Sequence, residues 1–431
     1  MVFSFWNTVR LVVPRQPIEF RDKATDESVT VQRIIEEDIP EFRDGARQLF
    51  HPLYFTGLLQ TFATFSRNAR NVDIVWYRRL MLNYEDGGVG ALDFVTPHST
   101  WEKYNLDDME IPETQKNSLG PFCRYFTTPE IDALPSADEK PILLYLHGLT
   151  GGSQGRWVRH TVKLINEKYG FEACVLNHRG CGYSTITTPR LFNALSTNDL
   201  RTAVNKLRSL YPNRKIYLMA TSFGSSLVIN YLGQEGSKSE ISCAVVLGTL
   251  WDFSASQHSL KRNKLNNKVV GNMITRNLVA MVKEHLDELL RDPNMVESYK
   301  KLDTVTTFEE YDNEFTAKIF GYNTSFEYYR HASCVNQILQ VRTPLICLNS
   351  LDDPLVPAET SPHREVDVNP YLLLVETTKG GHVGWITPNG TRWGLESVCK
   401  LFAKFQERIV AHKLTADMAS VVLPTPVYFD N

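Results

Sequence analysis

The sequence predicts an α/β protein, a mostly parallel central sheet with helices on both faces. Two observations predict it. Short, largely apolar runs recur along the chain, at Pro141-Ile142-Leu143-Leu144-Tyr145-Leu146, Ile216-Tyr217-Leu218-Met219, Ala244-Val245-Val246-Leu247, Thr343-Pro344-Leu345-Ile346-Cys347-Leu348-Asn349 and Tyr371-Leu372-Leu373-Leu374-Val375-Glu376. Each has the length of a buried strand. Four of them run directly into loops carrying glycines, a serine, paired aspartates or a histidine. At 431 residues the chain has room for two or three domains. One large domain with extensions fits better, because the informative segments spread over nearly the whole length.

The second run leads into Ala220-Thr221-Ser222-Phe223-Gly224, followed by the helix-like Ser225-Ser226-Leu227-Val228-Ile229-Asn230-Tyr231-Leu232. Strand, sharp turn and helix is the setting in which a serine becomes a nucleophile. The turn lifts the hydroxyl above the sheet, and the helix N-terminus favours developing negative charge. Small residues are needed two before and two after the serine, and Gly224 and Ala220 supply them. Many strands end in serine and glycine without any catalytic purpose, so the remaining machinery has to stand in order along the chain.

The first run ends in His147-Gly148-Leu149-Thr150-Gly151-Gly152-Ser153. Its glycines permit a tight turn with free N–H groups. The N–H groups of Leu149 and Phe223 are the candidate oxyanion donors. The plainer reading is a glycine-rich turn before a helix, and one turn can serve both ends. His147 reads as a structural residue that orients this loop.

The acid belongs after a later strand, and Asp352-Asp353-Pro354-Leu355-Val356-Pro357 follows the fourth run. Either aspartate can orient a histidine. Asp353 is preferred because, in the fold that this strand–turn–helix order resembles, the acid usually directly precedes a Pro-apolar-Val-Pro segment. Asp-Pro alone marks only a solvated turn. The base belongs last, and Lys379-Gly380-Gly381-His382 follows the fifth run, 29 residues beyond Asp353. Among the eleven histidines, His363 lies too close to the acid, and His412 falls in a helical segment, Glu396 to Leu414, where a surface position is expected. The candidate catalytic residues are therefore Ser222, Asp353 and His382, in the chain order of α/β-hydrolases.

Taken together, these segments resemble the α/β-hydrolase branch that contains the fungal medium-chain fatty acid ethyl ester synthase/esterases, with related animal and plant hydrolases of acylglycerols and phospholipids. The resemblance also rests on His51-Pro52, Gly57-Leu58-Leu59-Gln60-Thr61, Asp86-Gly87-Gly88, Leu92-Asp93, Asn177-His178-Arg179-Gly180-Cys181-Gly182, Asn230-Tyr231-Leu232-Gly233 and Tyr328-Tyr329-Arg330. It spans about His51 to about His412. Two positions depart from the family pattern: Ala220 replaces the first elbow glycine, and Leu58 stands where histidine is often found. The resemblance implies an α/β-hydrolase fold with a helical lid. It also implies acyl transfer between medium-chain acyl-CoA or ester donors and a small alcohol or water. A monoacylglycerol lipase or general carboxylesterase is the alternative. A non-catalytic hydrolase-fold module for binding lipids is a further alternative, and it would need a break in the triad that the sequence does not contain.

Composition fits this expectation. Apolar residues make up 42%, enough for a sizeable core, and a net charge of −3 argues against a nucleic-acid partner. The seven cysteines are scattered and odd in number, and read as reduced core thiols of an intracellular, cytoplasmic protein. No Cys-x-x-Cys, His-Glu-x-x-His or Gly-x-Gly-x-x-Gly pattern appears, so neither a metal nor a cofactor is expected. The apolar start Met1 to Trp6 is interrupted by Arg10 and Arg15 and does not read as a signal or anchor. Gln48 to Ser66 lacks charged residues but is too polar to span a bilayer. Its aromatics, Phe50, Tyr54, Phe55, Phe62 and Phe65, belong either to the core or to a substrate entrance. That second reading, with the resemblance, leaves room for peripheral contact with a lipid droplet or membrane surface.

The expected organisation is an N-terminal extension over 1–90 packed on the core, a hydrolase domain over 91–414, and a tail over 415–431. Within the domain, 251–340 lacks strand-like runs and reads as a helical insertion before the acid strand, where a lid would cover the serine and hold an acyl chain.

Overall fold

A computed structural model describes residues 5–66, 72–102 and 119–409. His412, the tail over 415–431 and the end of the expected last helix lie outside the described residues. The strands are β1 (Trp6–Val12), β2 (Glu19–Arg21), β3 (Ser28–Thr30), β4 (Arg47–Leu49), β5 (Trp76–Asn83), β6 (Val89–Thr96), β7 (Cys123–Tyr125), β8 (Ile142–Leu146), β9 (Glu172–Asn177), β10 (Ile216–Thr221), β11 (Ile241–Leu247), β12 (Leu345–Ser350) and β13 (Leu372–Thr377). All but the β2–β3 hairpin join one sheet, in the order β4-β1-β13-β12-β11-β10-β8-β9-β6-β5-β7. The run from β13 to β9 is parallel throughout. Its strands are buried on both faces, which is why they read as continuous apolar runs rather than alternating ones.

Two cores follow from the two faces. One holds Tyr145, Tyr217, Met219 and Val375 against the helices Val31–Asp38, Arg156–Tyr169 and Leu395–Arg408. The other holds Leu144, Leu218, Val246 and Leu374 against the helices Thr197–Leu210 and Phe223–Glu235. The Thr197–Leu210 helix is amphipathic, with Leu200, Ala203, Val204 and Leu207 on its buried face. The Phe223–Glu235 helix is buried along most of its length.

Residues before 90 do more than pack on this core. β1 pairs antiparallel with β13, β4 pairs with β1, and β5 pairs with both β6 and β7. Charges inside these strands conceal them in the sequence. Arg10 interrupts β1, and Arg78 and Arg79 sit mid-strand in β5. Arg79 can be buried because Asp93 on β6 holds it by two hydrogen bonds of 2.7 and 2.8 Å.

Between β11 and β12 the described elements are all helical, from Phe253–Arg262 to Ile338–Gln340. They form a third apolar cluster, with Phe253, Met281, Tyr311, Phe315 and Tyr328 packed around Phe223 and Phe192 from the sheet region. All seven cysteines are buried and unpaired. Among the described residues no helix is long and apolar enough to cross a membrane, and no cluster of metal-ligating side chains occurs.

Candidate active site

Ser222 follows the last residue of β10 and caps the Phe223–Glu235 helix. Its backbone sits at φ 56°, ψ −125°, a region that L-residues avoid. Neighbouring bonds hold it there: its N–H donates to the Leu247 carbonyl at 2.7 Å, and its own carbonyl accepts from Ser225 at 2.9 Å. Gly224 explains the small-residue requirement. A Cβ at this position would lie 2.5 Å from the His147 carbonyl oxygen and 3.1 Å from that of Leu146. Ala220 is wholly buried in the helix-side core, so its methyl finds room.

His382 lies fully buried, with Nε2 2.6 Å from the Ser222 hydroxyl and Nδ1 2.7 Å from Asp353 Oδ2. A carboxylate can only accept, so Nδ1 carries the proton and Nε2 is left to accept from the serine. The other carboxylate oxygen of Asp353 accepts the N–H groups of Leu355 at 2.7 Å and Val356 at 3.2 Å, which fixes its rotamer. Asp352 faces elsewhere. It accepts from the Ser350 hydroxyl at 2.7 Å and from the Gly381 N–H at 2.8 Å. Burial raises its carboxyl above the ordinary range.

The loop after β8 turns back on itself through a bond from the Gly151 N–H to the Gly148 carbonyl at 3.0 Å, with Thr150 at φ 54°. The turn leaves the Leu149 N–H without an acceptor among the described residues, as the first helical turn leaves that of Phe223. Two buried networks brace it. His147 Nδ1 donates to the Gly148 carbonyl at 2.7 Å, so its Nε2 is free to accept the His178 N–H at 3.2 Å. Burial lowers the His147 ring to about 4, which keeps it neutral. Beyond the turn, Ser153 Oγ donates to Asp93 Oδ2 at 2.5 Å and its N–H donates to Asn177 Oδ1 at 2.9 Å. The Arg79–Asp93 pair thus anchors the loop from below.

Sequence reasoning found no role for Thr61 and Gln60, which sit on the helix Gly57–Ser66. Thr61 Oγ1 accepts the His382 N–H at 2.8 Å and donates to the Gly57 carbonyl at 2.7 Å. Gln60 Oε1 accepts the Ile386 N–H at 2.8 Å. Gly57 itself lies against the Asp352 backbone, and any Cβ there would collide with the Asp352 carbonyl. The only trace of this arrangement in the sequence is the Gly57–Thr61 segment. Phe65, from the same helix, stacks over the His382 ring with centroids 6.4 Å apart. Of the aromatics read as core or entrance, Phe50 is buried, whereas Phe62 and Phe65 are exposed.

Ser222 opens on a cavity of about 430 Å³. Leu149, Phe253, Leu260, Met273 and Phe308 give it an apolar wall, most of it from the helical insertion. Backbone strain concentrates on its rim, with Thr150, Ser222 and Val383 all at positive φ.

A strained serine at a strand–helix turn, a buried histidine and an uncapped loop above a parallel sheet define an α/β-hydrolase. Residues 141–386 match the family of the alpha/beta hydrolase fold, and the chain belongs to that family. It is 38% identical to a Saccharomyces cerevisiae monoacylglycerol lipase, over 96% of this chain and 94% of that protein. It is 29% identical to the S. cerevisiae medium-chain fatty acid ethyl ester synthase/esterase 2, over 91% and 93%. It is 32% identical to human phospholipase ABHD3, over 64% and 66%. Among solved structures it is similar to a Pyrococcus furiosus esterase, with a TM-score of 0.46 and 15% identity over 80% of this chain and 96% of that one.

Proposed function

We propose that this α/β-hydrolase is a serine acyl hydrolase that cleaves single-chain fatty acyl esters, monoacylglycerols first, through an acyl-enzyme. The observation that carries the reading is the hydrogen-bonded chain from Ser222 through His382 to Asp353 at the floor of an apolar cavity. Monoacylglycerol is preferred as substrate because the 38% identity to a monoacylglycerol lipase extends over almost all of both chains. In this reading His382 takes the Ser222 proton as the oxygen attacks the acyl carbonyl. Asp353 holds the ring in the required tautomer and stabilises its charged form. The N–H groups of Leu149 and Phe223 receive the oxyanion. His382 then protonates the leaving alcohol, and water attacks the acyl-enzyme to complete hydrolysis.

An alcohol attacking in place of water gives a new ester, and the 29% identity to an ethyl ester synthase/esterase over 91% of the chain favours this as a second reading. Exposed Phe65 at the cavity, with exposed Phe62 on the same helix, suits contact with a lipid surface that delivers either substrate.

The test supplies 1-monolauroylglycerol, or lauroyl-CoA with ethanol, to the purified protein and to Ser222→Ala. Free laurate from the glyceride, lost in the variant, is the expected result. Serine-dependent ethyl laurate without glyceride hydrolysis would transfer the assignment to ester synthesis. Failure of Ser222 to react with a fluorophosphonate in the folded protein would overturn both.

A further inference from the structure

One end of the active-site cavity is built from unpaired cationic groups. The helix Arg156–Tyr169 begins there, behind the N-cap Gly155, which offers no side-chain cap, and its first turn carries no acidic residue. Arg392 lies in the same wall at 5% exposure, yet its Nε and Nη2 atoms have no hydrogen-bond partner. Arg156 Nε and both amide atoms of Gln154, in the same wall, are likewise buried and unpartnered. Both guanidinium groups stack on Trp157, with the Arg156 Cζ 4.7 Å and the Arg392 Cζ 3.6 Å from the ring centroid.

Trp157 offers attraction but no counter-charge. A buried guanidinium without a carboxylate is costly, and a second one beside it raises the cost. Burial holds Arg392 well below the ordinary arginine range; Tyr145 opposes it, and the neighbouring Arg156 charge adds a smaller lowering effect. Arginine nevertheless keeps its proton at any accessible pH, so the charge is relieved by an anion and not by deprotonation. Paired guanidinium forks and the uncapped start of a 14-residue helix together form a donor set suited to a tetrahedral oxyanion.

The geometry points to a phosphate-binding subsite formed by Arg156, Arg392, Gln154 and the N-terminus of their helix, within the cavity that Ser222 opens on. This extends the acyl-hydrolase reading by giving the enzyme a class of phosphorylated acyl donor. Two sources share that chemistry, the phosphate of a lysophosphatidic acid and those of an acyl-CoA. In neither does the phosphate react. It anchors the donor while the acyl carbonyl lies at Ser222.

The first test titrates inorganic phosphate into the Ser222→Ala protein by calorimetry, which needs no turnover. Binding is expected, with Kd raised about 10- to 100-fold by Arg392→Gln or Arg156→Gln, the range for losing a charge-assisted hydrogen bond. Arg156 is only partly buried, so its variant carries the test if the Arg392 change disrupts folding. The second test compares kcat/KM of the active enzyme for 1-lauroylglycerol, 1-lauroylglycerol 3-phosphate and lauroyl-CoA. A preference for either phosphorylated donor that collapses in the arginine variants supports the subsite and identifies its source. Absence of phosphate binding, or an affinity indifferent to both substitutions, overturns it. Phosphate binding with no ester hydrolysis by the unmutated chain would leave the subsite standing and remove the hydrolase reading instead.

Discussion

Thr61 accepts the backbone N–H of His382 at 2.8 Å, across 321 positions of the chain. The bond joins a helix near one end of the described chain to the loop that carries the proposed base. Because the Thr61 hydroxyl also donates to Gly57, whose backbone abuts Asp352, the same helix seats both the histidine and the acid loop.

Thr61→Val keeps the shape and removes the acceptor, leaving a buried N–H unpaired at about 1–3 kcal/mol. A small displacement of the base is enough to lower kcat about 10- to 100-fold. Thr61→Ser should restore most of it. Steady-state kinetics and the rate of fluorophosphonate labelling check the pair of variants. Equal behaviour of valine and serine would remove Thr61 from any positioning role.

Asp353→Asn should lower kcat by about 10⁴-fold, because an amide at this position favours the wrong histidine tautomer. Asp352→Asn retains an oxygen to accept the Gly381 N–H and should cost no more than about tenfold. The two rates, measured on one ester, compare the adjacent carboxylates directly. The reverse order would give the acid role to Asp352.

Gly224→Ala places a methyl 2.5 Å from the His147 carbonyl oxygen, which belongs to backbone and cannot swing aside. The expected loss is about 1–3 kcal/mol of stability, read as a lower thermal midpoint. Labelling of Ser222 should slow with it, since the helix that presents the serine has to shift.

Asp312 supplies a pH prediction. It is buried in the helical insertion, where burial raises its carboxyl to about 7 although the Thr316 and Tyr329 hydroxyls donate to it at 2.6 and 2.7 Å. Between the ordinary aspartate range and about 7 the folded state therefore binds more protons than the unfolded chain. Its contribution falls as pH rises through that window. Asp312→Asn removes this dependence, so its thermal midpoint relative to the unmutated protein should climb from pH 4 to pH 8. His147, lowered to about 4, acts with the opposite sign in both proteins and cancels from the difference. A flat difference across that range would mean that Asp312 is not carrying the extra proton.

The parallel strands, and the three side chains Ser222, Asp353 and His382 that lie in hydrogen-bond contact, were legible because local rules govern them. Buried strands read as apolar runs, and the candidate residues follow the strand ends in a fixed order. β5 was hidden because Arg78 and Arg79 break its apolar pattern, and only the pairing of Arg79 with Asp93 makes that acceptable. The helix Gly57–Ser66 was visible as an uncharged, aromatic segment, but its service to His382 depends on a contact no local pattern encodes. Arg392 carries no signal in Thr391-Arg392-Trp393. Its meaning comes from burial without a partner, a property of the fold alone.

The antiparallel pairing of β1 with β13 also bears on how the molecule is made. On the ribosome, Val9 emerges hundreds of residues before its partner Thr377. Until then the early strand can pair with β4 but not with the central sheet. The nascent chain can assemble its central strands while Thr61 waits for the proposed base that it seats. The pairing of β1 with β13 and the bond from Thr61 to His382 therefore form together, so that the sheet and the proposed site are completed in the same late step.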